Sequence, residues 1–219
     1  MRAEERLKGE VIVVGGGLIG LATAAALAER KVAVTLIGER RPGEASPAAA
    51  GMLAPSVERA PGRAHDFGIA ARDRYLSYVD FLADRVGVRV PLNRLGILQV
   101  ALSEKGIKGL KKTALPTGSW LSAKELHDLE PALSHGLGAV FNPDDGAVDN
   151  TILVAALEAL CAASDRITRV AGAVISIDPK QDSCTVGTDS GDRYNGRRVI
   201  IAAGAWAGQI SGARFARVG

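Results

Sequence analysis

Aromatic side chains are scarce in this chain: four Phe, three Tyr and two Trp among 219 residues. That scarcity argues against single-stranded nucleic acid as a partner, because base stacking needs aromatic faces. Cysteine is rarer still. Cys161 and Cys184 lie far apart with no C-x-x-C, so neither a disulfide framework nor a thiolate metal site is expected. A reducing, cytoplasmic location follows as the expectation. The three histidines, His65, His127 and His135, have no ligand spacing, and no metal is expected. Charge of one sign is not clustered either. The net charge is +3, and the pairs Arg40-Arg41, Lys111-Lys112 and Arg197-Arg198 stand apart from one another. They are expected to be solvated surface and not a nucleic-acid patch.

A membrane segment is also missing. Val11 to Ala28 runs 18 residues without a charge, long enough to raise the question. Three details oppose it. Glu4, Glu5 and Glu10 stand where a signal peptide needs positive charge. The run opens on the β-branched Val11-Ile12-Val13-Val14. Gly15, Gly16, Gly17 and Gly20 then interrupt any continuous helix. A soluble strand, turn and helix is the expectation.

What is present is small and apolar. Hydrophobic residues make up 47% of the chain, which marks a folded globular protein with a buried core. Val11–Val14 reads as a strand buried on both faces, the parallel-sheet pattern. Leu18 to Arg30 reads as an Ala- and Leu-rich helix, and Val32–Ile37 as a second strand. Together they form a βαβ unit. A Pro-, Ala- and Ser-rich loop with a short helix is expected from Arg41 to Pro61, and a helix from Asp66 to Val86.

Strands are expected at Leu95–Leu102 and Gly138–Phe141, and a helix from Ser103 to about Lys112. Ser122 and Glu125 form a capping box for a helix ending at Leu129, before Pro131. Asn142–Gly146 is a turn. Asn150 caps a helix to Ala163. Strand signals follow at Ile167–Val170, Val174–Ile177, Cys184–Thr188 and Val199–Ala203. The order predicts a doubly wound α/β domain with an inserted α+β domain.

The turn after the first strand carries G-x-G-x-x-G as Gly15, Gly17 and Gly20. Gly15 permits the tight turn. Gly17, lacking a Cβ, lets backbone approach a pyrophosphate. Gly20 lets the helix pack close to the sheet. A pyrophosphate would sit against the free N–H groups of the helix that opens at Leu18 and Ile19. Glu39 stands just past the second strand, at the distance of a ribose-reading acid, with Arg40 beside it. A carboxylate there accepts from ribose hydroxyls and repels the extra phosphate of NADP. Arg40 and Arg41 keep an NADP reading in play. At this point NAD and FAD are both open.

The next loop separates them. Gly43-Glu44-Ala45-Ser46-Pro47-Ala48-Ala49-Ala50-Gly51-Met52-Leu53-Ala54-Pro55 resembles the flavin loop of the glycine oxidases, FAD-dependent amine oxidases of thiamine biosynthesis. They belong to the D-amino acid oxidase and sarcosine oxidase superfamily. Asp144-Asp145-Gly146-Ala147-Val148-Asp149 resembles the family's acidic turn. Ala202-Ala203-Gly204-Ala205-Trp206-Ala207-Gly208 resembles its return to the cofactor domain.

The resemblance implies a Rossmann-like FAD-binding domain, residues 1–86 with 170–219 returning to it. An inserted α+β substrate domain would begin at 87–169. It implies that Ser46, Ala49, Ala50 and Gly51 line the flavin and that Met52 faces the substrate cavity. The backbone of Val174 would meet the adenine, and Ala203, Gly204 and Trp206 would border the cofactor. It further implies oxidative deamination of glycine or another small amino acid, with oxygen as acceptor and peroxide as product.

The family continues well past the point that matches Gly219. The arginine that clamps a substrate carboxylate, and a tyrosine near it, are expected in that C-terminal part. No catalytic residue is therefore transferred to this sequence. A flavin-dependent dehydrogenase, a catalytically incomplete FAD-binding fragment and an NAD-dependent enzyme stand as alternatives. Expected partners are a small amino acid and oxygen, with no nucleic acid and no membrane, and self-association is left open.

Overall fold

The structure is a computed structural model that describes residues 6–7, 10–58, 60–113 and 118–213. The chain runs β1 (Arg6–Leu7), β2 (Val11–Val14), α1 (Leu18–Glu29), β3 (Val34–Ile37), α2 (Ala45–Ala48), β4 (Met52–Leu53), α3 (Pro55–Glu58) and α4 (Arg63–Val86). Next come β5 (Leu92–Asn93), β6 (Ile97–Val100), α5 (Glu104–Thr113), β7 (Ser119–Ser122), α6 (Ala123–Leu129), β8 (Gly138–Asn142), β9 (Gly146–Val148) and α7 (Asn150–Ala163). It closes with β10 (Ile167–Val170), β11 (Val174–Pro179), β12 (Cys184–Thr188), β13 (Arg193–Gly196), β14 (Arg198–Ile201) and a short 3₁₀ helix, Gly204–Gln209.

Two compact units result. The first comprises residues 1–49, 82–89 and 150–219; the second comprises 50–81 and 90–149. The sequence places the bounds at 86, 87 and 169. Residues 50–81 belong with the second unit, and 150–169 with the first. The reason lies in long-range pairing: β10 runs parallel to β3, from Ile167 opposite Val34 to Val170 opposite Ile37. The helix before it, α7, packs on α1. The last residues of the expected domain, 214–219, lie outside those described.

The first unit is built on a parallel sheet in the order β10-β3-β2-β14. Its central strands are buried because both faces are covered, in keeping with the apolar run of β2 and the apolar β3 with its one buried Thr35. On one face α1 buries Gly20, Leu21, Ala24 and Ala25. Against it α7 buries Leu153, Val154, Leu157 and Cys161. The small residues of α1 allow close approach, and the Cys161 thiol donates to the Leu21 carbonyl at 3.5 Å. On the other face lies the sheet β1-β13-β12-β11. Ile12, Val14 and Ile37 pack there with Ile177, Val186, Tyr194 and Ile210.

The second unit holds two antiparallel sheets, β4-β9-β5 and β6-β8-β7. The capping box forms as expected: Ser122 Oγ accepts from Glu125 N at 3.3 Å, and Glu125 accepts from Ser122 N at 2.7 Å. Residues 63–81 of α4 are unevenly buried. Val79 is buried, but Phe67 is 75% exposed.

One buried ionic cluster organises this unit. Asp145 is fully buried, and its Oδ1 accepts from Arg72 Nη1 at 2.9 Å and from Ser56 Oγ at 3.1 Å. Burial opposes the charge on Arg72, but hydrogen bonds to Asp73 and Asp145 outweigh it and raise its pKa. Gly146 follows, where any Cβ would lie 2.1 Å from the Asn93 carbonyl oxygen. The acidic turn is thus a structural clamp in this unit.

Candidate functional site

A cavity of about 450 Å³ opens in the first unit at the carboxyl ends of β2, β3 and β14. This is where an open α/β sheet binds ligands. Its floor is the turn after β2. Gly15 has φ +116°, and a Cβ there would lie 2.2 Å from the Ala202 carbonyl oxygen. Only glycine satisfies both constraints. Ala202 runs so close because its N–H donates to the Val14 carbonyl at 2.7 Å.

Gly17 is the N-cap of α1, with ordinary φ −79°. The first helical bond runs from Leu21 N to the Gly17 carbonyl at 3.0 Å. The N–H groups of Leu18, Ile19 and Gly20 therefore have no acceptor within the helix. Ser46 Oγ accepts the Leu18 N–H at 3.0 Å. A Cβ on Gly17 would meet only that hydroxyl, at 3.1 Å, and otherwise project into open cavity. Leu18 and Ile19 line the cavity; Gly20 does not. Its absent side chain serves packing, since a Cβ there would lie 1.8 Å from the Gly15 carbonyl oxygen.

Glu39 lies on the cavity wall past β3 and accepts from Arg41 Nε at 2.9 Å. The guanidinium carbon of Arg41 sits 5.7 Å from the centre of the Trp206 ring. Arg40 leaves the cavity. It pairs with Glu44 at 3.4 Å and with Glu158 of α7 at 3.6 Å. Ser46, on α2, is anchored at its carbonyl by the Asn150 side-chain amide. Asn150, expected as a helix cap, thus ties α7 to the loop. The far wall is formed by Val174, at a register irregularity of β11, and by Ala203, Gly204 and Trp206 after β14.

The structure therefore brings Gly15, Gly17, Leu18, Ile19, Glu39, Ser46, Val174, Ala203, Gly204 and Trp206 around one cavity. Gly20, Arg40 and Ala49 belong to the same unit but do not line it. Ala50, Gly51 and Met52 belong to the second unit. There the Gly51 carbonyl accepts from Val148 N at 2.9 Å, and Met52 pairs with Ala147. Met52 is half exposed.

Sequence reasoning missed Gly38, where a Cβ would lie 2.4 Å from Gly16 N. A glycine directly at a strand end was the available signal. It also missed the inward position of Arg41.

Neither cysteine lines the cavity. The Cys161 thiol is pushed up to about 11, chiefly by burial, and stays protonated. No cluster of metal-ligating side chains occurs among the described residues. No helix is long and apolar enough to cross a membrane, again among the described residues.

The cavity fits the ADP half of a dinucleotide. A helix N-terminus with unused N–H groups, a missing Cβ facing open space and a carboxylate one strand away are the parts such a group needs.

Comparison with known proteins agrees. Residues 10–218 match the DAO family, described as FAD dependent oxidoreductase. The chain is 34% identical to a glycine oxidase of Bacillus licheniformis over 226 residues, covering 98% of this chain and 58% of that protein. It is 32% identical to the bifunctional protein ThiO/ThiG of a Synechocystis strain, covering 92% of this chain and 30% of that protein. The crystal structure of glycine oxidase from Geobacillus kaustophilus superposes with a TM-score of 0.86 at 28% identity, over 94% of this chain and 58% of that one. The chain thus spans between 30% and 58% of the length of these relatives.

Proposed function

Because this chain belongs to the DAO family of FAD-dependent oxidoreductases, we propose that its cavity holds the ADP half of FAD for a glycine-oxidase-like reaction. The observation that carries the reading is the open space beside Gly17 at the N-terminus of α1.

In this reading the Ile19 N–H and the positive end of the α1 dipole receive the pyrophosphate, with Leu18 beside it on the cavity wall. Glu39 keeps its Oε1 on Arg41 and offers its second carboxylate oxygen to the ribose hydroxyls. Val174 offers backbone to the adenine, and Ala203, Gly204 and Trp206 close the opposite wall. Ser46 holds the Leu18 N–H and fixes the loop that follows. The small residues Ala49, Ala50 and Gly51 permit close approach to a planar ring, and Met52 borders the substrate. The resemblance of residues 43–55 to a flavin loop supports these last roles.

When bound, FAD supplies two-electron redox chemistry, here the oxidative deamination of glycine or another small amino acid, with oxygen as acceptor and peroxide as product. The chain's own share is to bind and orient. By the same resemblance the enzyme serves thiamine biosynthesis.

The carboxylate clamp expected of such an enzyme has no counterpart among the motif-matched residues. The 219 residues are accordingly proposed to bind FAD without steady turnover of glycine. Peroxide production from glycine and sarcosine, measured on the purified chain with excess FAD, is the test. Absence of steady turnover is expected. Steady turnover would show that a substrate-binding arginine lies among residues 1–219.

A further inference from the structure

Two adjacent arginines follow Glu39, and the fold sends them in opposite directions. Arg40 faces outward to Glu44 and Glu158 and ties the loop to α7. Arg41 turns inward and lines the cavity. Its backbone N–H donates to the Glu44 carboxylate, which pins its Cα. Its Nε donates to Glu39 Oε1 at 2.9 Å, while its guanidinium lies 5.7 Å from the centre of the Trp206 ring.

Glu39 belongs to the wall after β3, and Trp206 to the wall after β14. One side chain therefore joins both walls. A guanidinium suits that position, because its edge donates to a carboxylate while its face meets an aromatic ring. Lysine offers the charge without the plane.

We propose that Arg41 is a cofactor-retaining residue, a bridge between Glu39 and Trp206 that must open before a bound dinucleotide can leave. The proposal rests on the reading that this cavity takes FAD. The bridge acts on a ligand already seated, so its loss speeds release far more than it slows entry. Its effect is distinct from that of the phosphate turn, which governs whether a dinucleotide fits at all.

The test is the rate of FAD release from the 219-residue chain, followed by recovery of flavin fluorescence after dilution. The parent is compared with Arg41→Ala, Arg41→Lys, Trp206→Leu and the double variant Arg41→Ala/Trp206→Leu. Arg41→Ala is expected to release FAD about tenfold faster, the scale of a partly desolvated cation–π contact. Its association rate should stay within about twofold of the parent. Arg41→Lys should recover part of the loss. The double variant should release FAD no faster than about twofold beyond Arg41→Ala, because both changes break one bridge.

Release from Arg41→Ala at the parental rate overturns the bridge. So do fully additive effects of Arg41→Ala and Trp206→Leu. Failure of the parent chain itself to bind FAD overturns the cofactor reading and the bridge with it.

Discussion

Substituting two glycines of the phosphate turn separates cofactor binding from folding. A Cβ on Gly17 meets only Ser46 Oγ, at 3.1 Å, and the backbone there has an ordinary negative φ. Gly17→Val therefore costs the empty chain little beyond a poorer N-cap, about 1 kcal/mol. The same side chain occupies the space a pyrophosphate needs. Displacing that group forfeits at least two charge-assisted hydrogen bonds of about 1.5–3 kcal/mol each. The sum, about 3–6 kcal/mol, corresponds to roughly two to four powers of ten in FAD affinity.

Gly20→Ala behaves the opposite way. Its Cβ would lie 1.8 Å from the Gly15 carbonyl oxygen, so backbone must move. Overpacking of this kind costs about 1–3 kcal/mol, and at this distance the upper end or beyond is expected. Urea unfolding without cofactor should rank Gly20→Ala well below Gly17→Val. Flavin fluorescence titration of the folded chains should show that Gly17→Val has lost FAD. Parental FAD affinity in Gly17→Val would refute the placement of the pyrophosphate. Equal destabilisation of both empty variants would refute the division of roles between the two glycines.

Three further outcomes follow from particular contacts. Glu39→Ala should weaken FAD binding at least about tenfold by fluorescence titration, through loss of bonds to the ribose; unchanged affinity would make Glu39 a surface acid. Asp145→Ala should destabilise the chain by about 1–3 kcal/mol in urea, because it removes the buried acceptor shared by Arg72 and Ser56 and leaves Arg72 with Asp73 alone; a loss under about 0.5 kcal/mol would show the cluster to be solvated. Iodoacetamide at pH 8 should leave Cys161 unmodified until urea is added, because burial holds its thiol up to about 11. Since the unfolded thiol ionises first, stability should also fall as pH rises from about 9 toward 11. Rapid labelling of the native chain would contradict that burial.

Local signals were legible in the sequence and long-range ones were not. Val11–Val14 reads as a doubly buried strand because its four residues are all β-branched, and both faces are covered in the fold. The Ser122–Glu125 box is written within four residues and forms as read. By contrast, Arg193–Gly196 carries no alternation, and its strand exists through pairing with Cys184–Gly187 and Arg6–Leu7. The compact units differ from the bounds read in the sequence for the same reason. Residues 150–170 follow the acidic turn in sequence, but β10 finds its partner in β3 more than a hundred residues earlier. At the site, G-x-G-x-x-G named the glycines that shape the floor. Gly38 and Arg41 escaped because their roles depend on Gly16 and Trp206, which the fold brings near them.

The cavity of the first unit is proposed to select FAD. Its most direct test is parallel calorimetric titration of the purified 219-residue chain with FAD and with NAD. One FAD bound per chain, quenching of flavin fluorescence and no measurable heat with NAD are expected. Saturable binding of NAD with no binding of FAD would contradict it.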